Sequence, residues 1–232
     1  MKNKKLLLLF ALTATLLFSA TCCGGNNDSS SGNSAPSSSG GTESETPTPT
    51  PDTLSQEDWT AALSPTKFAN VAMSTTYQSA DTNYTQAIQY DDNLAYTRLV
   101  LQSGLSTTQY YDKLTNLSYV DYEGTWYYQS TDPTGIFNMQ NSFEESITSY
   151  SMFQITFTDD TYTAVFDSSN LGMYTEMRFN QSKQLVYYHS EIKLTESNTL
   201  ITTITLSNYG QISLTLPSAQ PIENYTPPTP LE

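Results

Sequence analysis

Between about residues 67 and 216, apolar side chains recur at every second position along most of the chain. Met177 and Phe179, for example, alternate with Glu176 and Arg178. A period of two puts successive side chains on opposite faces of a strand, and the short connections favour antiparallel neighbours. We expect strands near 68–79, 84–90, 94–102, 106–113, 117–122, 125–130, 153–157, 162–166, 173–179, 186–194, 200–206 and 212–216.

Two segments follow a helical period instead. Ser55 and Asp58 have the spacing of a capping box, and Trp59 opens an apolar face that ends before Pro65. In mid-domain a second apolar stripe predicts a helix that packs on the sheet, through Ile136, Met139, Phe143, Ile147 and Tyr150. The expected fold class is α+β: a curved, mostly antiparallel sheet, or half-barrel, with a short N-terminal helix and one mid-domain helix covering one face.

The first 25 residues have the layout of a secretory signal. Three lysines among the first five residues precede an apolar run over 6–18, which is followed by small residues and by Cys22 and Cys23. As a helix this run reaches about 20 Å, against a bilayer hydrocarbon core of about 30 Å. A permanent membrane span is therefore the weaker interpretation.

The cysteine junction resembles the lipobox of bacterial lipoproteins, in which a cysteine behind small residues receives a diacylglyceryl group before cleavage. We favour Cys23 as the modified residue, because Cys22 before it is smaller than the β-branched Thr21 and Gly24 follows directly. Cys22 is the alternative. The resemblance implies a covalent diacylglyceryl anchor and a lipid-anchored location on the extracytoplasmic face of the cell membrane. An ordinary secreted protein with two cysteines is the competing interpretation.

Composition divides the rest of the chain. Residues 24–52 are Gly, Ser, Asn, Thr, Pro and acidic residues with hardly an apolar side chain, so they cannot bury enough surface to offset the entropy of ordering. We expect a signal peptide and lipobox over 1–23, a disordered tether over 24–52, one β-rich domain over 53–220 and a disordered tail over 221–232. Since the net charge is −14, nucleic acid is not an expected partner. We expect a monomer.

The order of elements carries a second resemblance. An opening helix with Trp59, meandering strands, a strand from Gly124 to Tyr128, a central helix and a closing segment from Ile212 to Pro217 resemble the LolA/LolB-like cell-surface lipoprotein family. The resemblance covers about 54–220. It implies an unclosed β-barrel whose concave face, covered by helices, holds a lipid or another apolar chain.

The candidate ligand-binding residues are rings and apolar side chains of these elements: Trp59, Trp126, Tyr128, Phe143, Ile147 and Tyr188. Trp59 also fits a core position of its helix. Tyrosines are abundant, and neighbouring pairs such as Tyr127-Tyr128 put rings on both faces of the sheet. They line a ligand cleft, stack on sugars, or form cross-strand pairs on a half-exposed sheet, and the last interpretation is the simplest.

Catalytic chemistry finds little support in the sequence. His189 is the single histidine and shares a face with Leu185, Tyr187 and Glu191, where we expect it to be solvated. Without a second histidine or a domain cysteine, neither a Ser-His pair nor a zinc site is predicted. Three carboxylate pairs suit turns or solvated positions better than acid/base chemistry, namely Asp91-Asp92, Glu144-Glu145 and Asp159-Asp160.

The expected function is therefore that of a membrane-anchored, non-enzymatic domain that binds a lipid or other apolar ligand and uses no cofactor and no metal. A surface adhesion or glycan-binding module is the alternative, for which Tyr and Trp rings should line up on an exposed face. A hydrolase is the third hypothesis, and it needs a cluster of titratable groups that the sequence does not show.

Overall fold

The computed structural model describes residues 53–224, apart from the side chains of residues 144 and 145. The predicted signal peptide, the lipidation candidates Cys22 and Cys23, and the tether lie outside the described residues. The described residues belong to one compact unit, which begins at Thr53. None of its described helices is both long and apolar enough to cross a lipid bilayer.

The first helix, α1 (Gln56–Leu63), begins at the predicted capping box. The Ser55 hydroxyl accepts a hydrogen bond from the Asp58 backbone N–H, and the Asp58 carboxylate accepts one from the Ser55 N–H at 3.0 Å. These bonds satisfy donors that a free helix end leaves unpaired. Trp59 and Leu63 are fully buried, so the helix docks by the predicted face. A 3₁₀ turn, Pro65–Phe68, leads into the sheet.

Twelve strands form one open sheet within the described residues. In chain order they are β1 (Asn70–Gln78), β2 (Asn83–Asp91), β3 (Leu94–Leu101), β4 (Ser106–Asp112), β5 (Leu117–Tyr122), β6 (Thr125–Ser130), β7 (Gln154–Thr158), β8 (Thr161–Ser168), β9 (Met173–Phe179), β10 (Leu185–Thr195), β11 (Asn198–Ser207) and β12 (Gln220–Pro221). Their order in the sheet is β12-β6-β5-β4-β3-β2-β1-β11-β10-β9-β8-β7. All neighbours are antiparallel except β12 and β6. The predicted α+β half-barrel is confirmed.

Two meanders meet at β1, in the middle of the sheet. β1 to β6 run outward in one direction, β7 to β11 run back from the other edge, and β11 pairs with β1. Tight turns make the meander possible. Asp159 and Asp160 have φ values of 49° and 61°, which suits the two-residue turn between β7 and β8.

The mid-domain helix forms in its predicted place as a series of short turns. These are α2 (Thr134–Asn138), a 3₁₀ turn (Met139–Asn141), α3 (Glu144–Ile147) and a second 3₁₀ turn (Tyr150–Met152). The predicted stripe still packs: Ile136 and Phe143 are buried, and Met139, Ile147 and Tyr150 lie against the core. Asn141 and Ser142 favour a break, because their side chains compete for backbone hydrogen bonds.

The predicted strand over 212–216 is wrong. This segment is extended, but its backbone is held by side chains rather than by a neighbouring strand. The Asn70 amide bonds both the N–H and the C=O of Ile212, and the Asp91 carboxylate accepts from the Leu214 N–H at 2.8 Å. The chain then reaches β12 and a 3₁₀ turn, Ile222–Asn224, beyond the expected start of the tail at residue 221.

The helical segments cover one face of the sheet, which we call the inner face. The residues that pack there form one hydrophobic cluster around Trp59, Phe68 and Phe143. The opposite face is the outer face. A β-bulge after Leu185 changes the alternation in β10, so Leu185 is turned into the core and does not share the outer face with Tyr187 as expected.

Candidate functional site

The inward side chains change from apolar to polar halfway along the strands. On β1, Val71 and Met73 belong to the hydrophobic core, but the next inward position is Thr75. On β2, Tyr90 and Ile88 belong to the core and the next inward position is Gln86. The helical segments therefore sit over one half of the inner face, and the core ends where inward side chains become polar.

Seven consecutive strands each carry one inward polar side chain, and these side chains form three directly paired groups. Between the groups the register steps by two residues, since Gln86 pairs with Leu99 and Thr75 pairs with Ile204. Gln109 pairs with Thr97, and Gln86 pairs with Thr75. Further along the sheet, Ser190 pairs with both Thr202 and Thr175. We call the whole set the polar band, and its members on β4, β3, β2, β1, β11, β10 and β9 are Gln109, Thr97, Gln86, Thr75, Thr202, Ser190 and Thr175.

Most of the polar band is buried. Thr75, Gln86, Thr97, Gln109 and Ser190 are each less than a tenth exposed. Gln109 accepts a hydrogen bond from the hydroxyl of Tyr111. Thr75 Oγ1, in contrast, is buried and has no hydrogen-bond partner among the described residues. A buried hydroxyl in this state costs roughly 1–3 kcal/mol, so this atom marks a place where a partner is missing.

Apolar side chains return beyond the polar band, toward the strand ends that lie away from the helices. We call them the apolar rim: Tyr77, Tyr84, Leu99, Leu101, Met173, Ile192 and Leu200. Tyr77 and Tyr84 stack with ring centroids 4.9 Å apart. Burial, with the neighbouring Tyr77, raises the pKa of Tyr84 to about 12, so its hydroxyl stays neutral. The rim therefore offers apolar contact without charge.

Exposed leucines continue the apolar rim at the same end of the sheet. Leu105 lies in the turn between β3 and β4, Leu171 precedes β9, and Leu194 lies near the end of β10. Their exposed fractions are 49%, 70% and 56%. We call this end of the sheet the mouth. An apolar ligand on the rim meets more apolar surface where it reaches solvent.

Charge is segregated to the other face. The register places every charged side chain of β1 to β11 on the outer face, namely Asp91, Arg98, Asp112, Asp121, Asp167, Glu176, Arg178, Glu191 and Lys193. The inner face of these strands holds only apolar and neutral polar groups. A surface of this kind can take apolar chains and neutral hydrogen-bonding groups, but it offers no ionic partner to a charged one.

The predicted ligand-binding residues divide between three places. Trp59 is fully buried, and its ring is surrounded by other rings, with centroids 4.9 Å from Phe153 and 5.4 Å from Phe179. Its indole N–H donates to the Ser146 carbonyl at 2.8 Å. These contacts join α1 to the mid-domain turns and to β9, and they leave no ring face for a ligand.

Phe143 and Tyr188 meet at the edge of the helix-covered half, and Ile147 packs against the hydrophobic core. Phe143 is almost fully buried and contacts Phe68 and Tyr188, with ring centroids 5.1 Å and 5.4 Å away. Tyr188 is inward on β10, directly before the polar band, and burial raises its pKa. Of the predicted residues, Tyr188 lies nearest in sequence to the band, since Ser190 is the next inward residue on its strand.

Trp126 and Tyr128 lie on the outer face, on the opposite side of the sheet from the polar band and the apolar rim. They join Tyr96, Tyr110 and Tyr119 in a group of half-buried rings on β3 to β6 that we call the outer aromatic row. Ring centroids are 5.1 Å apart for Tyr96 and Tyr110, and 5.3 Å apart for Tyr110 and Trp126. The rings line up on one exposed face, as the glycan-binding alternative requires.

His189 also lies on the outer face. Its Nδ1 is 3.0 Å from Thr203 Oγ1, and its Nε2 is 3.0 Å from a Glu191 carboxylate oxygen. The imidazole ring lies parallel to the ring of Tyr187, and its side chain is 18% exposed. The expected outer face is correct, although the side chain is more enclosed than a solvated one.

Two carboxylate pairs lie at turns. Asp159 and Asp160 form the turn between β7 and β8, and Asp92 has a left-handed φ of 45° in the turn after β2. Within residues 53–224, no group of three or more His, Cys, Asp or Glu side chains is arranged to hold a metal ion.

The chain resembles parts of two solved structures. One is the crystal structure of MucB in complex with MucA(peri), at 10% identity and a TM-score of 0.34, with 67% of this chain and 57% of that chain covered. The other is the complex structure of Pseudomonas aeruginosa MucA/MucB, at 11% identity and 0.32, with 66% and 56% covered. The chain thus spans less than two thirds of either protein, and likeness of this size assigns no function.

No protein-family model matches the chain, and no curated protein is similar to it. The part of the inner face beyond the helical segments is the candidate binding surface. Sequence reasoning missed the polar band, because an isolated Thr or Gln in an alternating run looks like a weak strand position. Only the strand pairing shows that inward polar positions recur on neighbouring strands, as Gln86 beside Thr75 and Thr202 beside Ser190 do.

Proposed function

We propose that this protein is a non-enzymatic binding protein, held at the extracytoplasmic face of the membrane by a diacylglyceryl group, that binds an apolar or amphiphilic ligand on the open half of its inner face. One observation carries the proposal. Beyond the helices, the inner face presents the polar band and the apolar rim, while the charged side chains of β1 to β11 point outward. Anchoring rests on the signal and lipobox pattern of the first 25 residues.

Mass spectrometry of lipids extracted from the protein, purified from its native membranes, tests the proposal. We expect one class of apolar or amphiphilic molecule to be enriched over its share of the bulk membrane. The same measurement on intact protein reports the mass of the acyl groups on Cys22 or Cys23. A lipid profile identical to that of the bulk membrane contradicts ligand binding, and an unmodified amino terminus contradicts the anchor.

A pair of adjacent substitutions locates the ligand. Leu99→Glu puts a charge on the apolar rim, whereas Val100→Glu puts it on the outer face of the same strand, and both positions are half-buried. Enrichment should be lost in Leu99→Glu and kept in Val100→Glu, with circular dichroism melting as the check that both variants fold. If both variants lose the ligand enrichment, or if both keep it, binding on the inner face is contradicted.

The outer aromatic row favours a second function, binding of a glycan. Tyr and Trp rings give broad apolar faces next to polar atoms, which suits stacking on a sugar ring. The observation that supports it is the chain of contacts from Tyr96 through Tyr110 to Trp126. Sedimentation with insoluble cell-wall polysaccharide tests it, with Tyr110→Ala expected to release the protein. Tyr187→Ala, on the outer face but away from the row, is the control, and retention of Tyr110→Ala rules this function out.

A further inference from the structure

We infer that the polar band binds the uncharged polar head of an amphiphile, which enters head first and leaves its apolar chain on the apolar rim. The ligand class is a neutral amphiphile with hydroxyl, ester or amide groups, such as a monoacylglycerol. This inference rests on the proposed function and specifies the ligand of the same surface.

The side chains of the polar band set the chemistry of the head. Thr, Ser and Gln each both donate and accept hydrogen bonds, and none carries a charge. A phosphate or carboxylate head needs cationic partners when it leaves water, because desolvating an unpaired ion is costly. The basic residues nearest in sequence, Arg98, Arg178 and Lys193, all lie on the outer face. The band therefore selects neutral heads over anionic ones.

The order of surfaces along the strands sets the orientation. On β1 to β3 and on β9 to β11, the polar band residue lies between residues of the hydrophobic core and residues of the apolar rim. Five of the seven band members are less than a tenth exposed. The rim is more open, and Met173 at its end is 41% exposed. A ligand that entered chain first would bury its apolar chain against the polar band. Entry head first matches polar groups to the band and the chain to the rim and the mouth.

Thr75 supplies an independent observation. Its hydroxyl is buried on the central strand of the band and has no partner among the described residues. Such groups are rare in folded proteins, since nearly all buried polar atoms find a hydrogen bond. A neutral head placed on the band brings both donors and acceptors within reach of a hydroxyl at this position. The bound state would then complete a hydrogen bond that the free protein lacks.

Photoaffinity labelling of the full chain in its native membranes tests the inference. The matched probes are a monoacylglycerol and its phosphate ester with the same diazirine-bearing chain, so that they differ only in the charged group. Labelling should saturate with the monoacylglycerol at a concentration at least about tenfold lower than with the phosphate. Equal labelling, or preference for the phosphate, overturns the selection of neutral heads.

The position of the diazirine tests the orientation. With the diazirine beside the head, labelled peptides should contain band residues such as Thr75 or Gln86. With the diazirine at the chain end, they should contain mouth residues such as Leu105 or Leu171. The reverse pattern overturns entry head first.

A matched pair of threonines tests the hydrogen bond. Thr75→Val should raise the half-saturating concentration of the monoacylglycerol probe by about three- to tenfold, the range of one hydrogen bond. Thr76→Val, one residue along on the outer face, should leave it unchanged. Unchanged labelling of Thr75→Val overturns the role of the band. If neither probe labels the wild type saturably, the proposed function itself fails, which is a different result from loss of head selectivity.

Discussion

Among single residues, Thr75 should affect both the stability of the protein and its affinity for the ligand. Its hydroxyl is buried without a partner among the described residues, so the ligand-free protein bears the cost of desolvating it. Valine has nearly the same shape and no polar atom to leave unpaired. We therefore predict that Thr75→Val raises the free energy of unfolding of delipidated protein by about 1 kcal/mol, measured by urea denaturation.

The control for this prediction is Thr76→Val on the outer face of β1, which should change the free energy of unfolding little. A Thr75→Val variant that is less stable than the wild type by a similar amount would mean that the hydroxyl has a partner in solution. In that case the missing hydrogen bond would no longer point to a ligand. Thr75→Val should thus raise the free energy of unfolding and lower the affinity for the ligand.

Asp58 links the first helix to the turn before β10, and it should make the free energy of unfolding depend on pH in the acid range. The hydrogen bond from Lys183, followed by those from Ser55, lowers the pKa of Asp58 to about 2 from its ordinary 3.8. Because the folded pKa is depressed, the stabilisation is present above about pH 4 and is lost as the pH falls toward 2. Asp58→Asn should flatten the fall in unfolding free energy between pH 4 and pH 2.

Glu57→Gln removes an exposed carboxylate from the same helical turn and serves as the control. It should keep the acid dependence of the wild type in the same urea titrations. If Asp58→Asn and the wild type lose stability in parallel below pH 4, the contact between Asp58 and Lys183 contributes nothing in solution. Surface ion pairs are often weak, so the slope with pH is a better measure than stability at neutral pH.

For helices and strands, local sequence patterns predicted the features that depend on neighbouring residues in the chain. The capping box predicted the start of α1, and strict alternation predicted β9, β11 and the part of β10 that follows its bulge. The mid-domain stripe predicted which side chains pack, but helix continuity depended on weak helix formers such as Asn141 and Ser142. The extended segment over 212–216 shows the opposite failure. It alternates like a strand, yet its partners are the side chains of Asn70 and Asp91.

This segment yields a prediction for hydrogen exchange. Asn70→Ala removes the acceptor of the Ile212 N–H and the donor to its carbonyl. Amide exchange over 211–216 should then speed up by about fivefold or more, as the loss of such hydrogen bonds implies, while β1 and β2 stay protected. Ser74→Ala, on the outer face of β1, is the control. Unchanged exchange in Asn70→Ala contradicts the account of the segment.

For the molecule as a whole, the strand register brings together the residues of the candidate binding surface, and a single sequence does not contain this register. Each polar band residue except Gln109 interrupts a run of apolar inward positions on its own strand. Only the pairing of neighbouring strands brings Gln86 beside Thr75 and Thr202 beside Ser190. For the same reason the sequence grouped Trp59, Trp126 and Tyr188 as one candidate site, although the fold puts them in the core, on the outer face and on the inner face.

Tyrosine burial gives a prediction for the intact fold. Burial raises the pKa of Tyr84 and Tyr111 to about 12, and it raises the pKa of Tyr90 further. Because a raised pKa favours the neutral form in the folded state, this stabilisation is present below pH 10 and is lost as the pH rises through about 12. Absorbance at 295 nm should show that some tyrosines ionise at higher pH in the native protein than in the urea-unfolded protein. Superimposable titration curves contradict this packing.

The central claim is that the inner face beyond the helices is a binding surface. A crystal structure of the protein purified from its native membranes, without delipidation, tests it most directly. We expect electron density for an amphiphile on the inner face, with polar atoms within hydrogen-bonding distance of Thr75 and an apolar chain over the rim toward Leu171 and Leu194. An inner face closed by the protein's own side chains, with no room for a ligand beside Thr75, would contradict it.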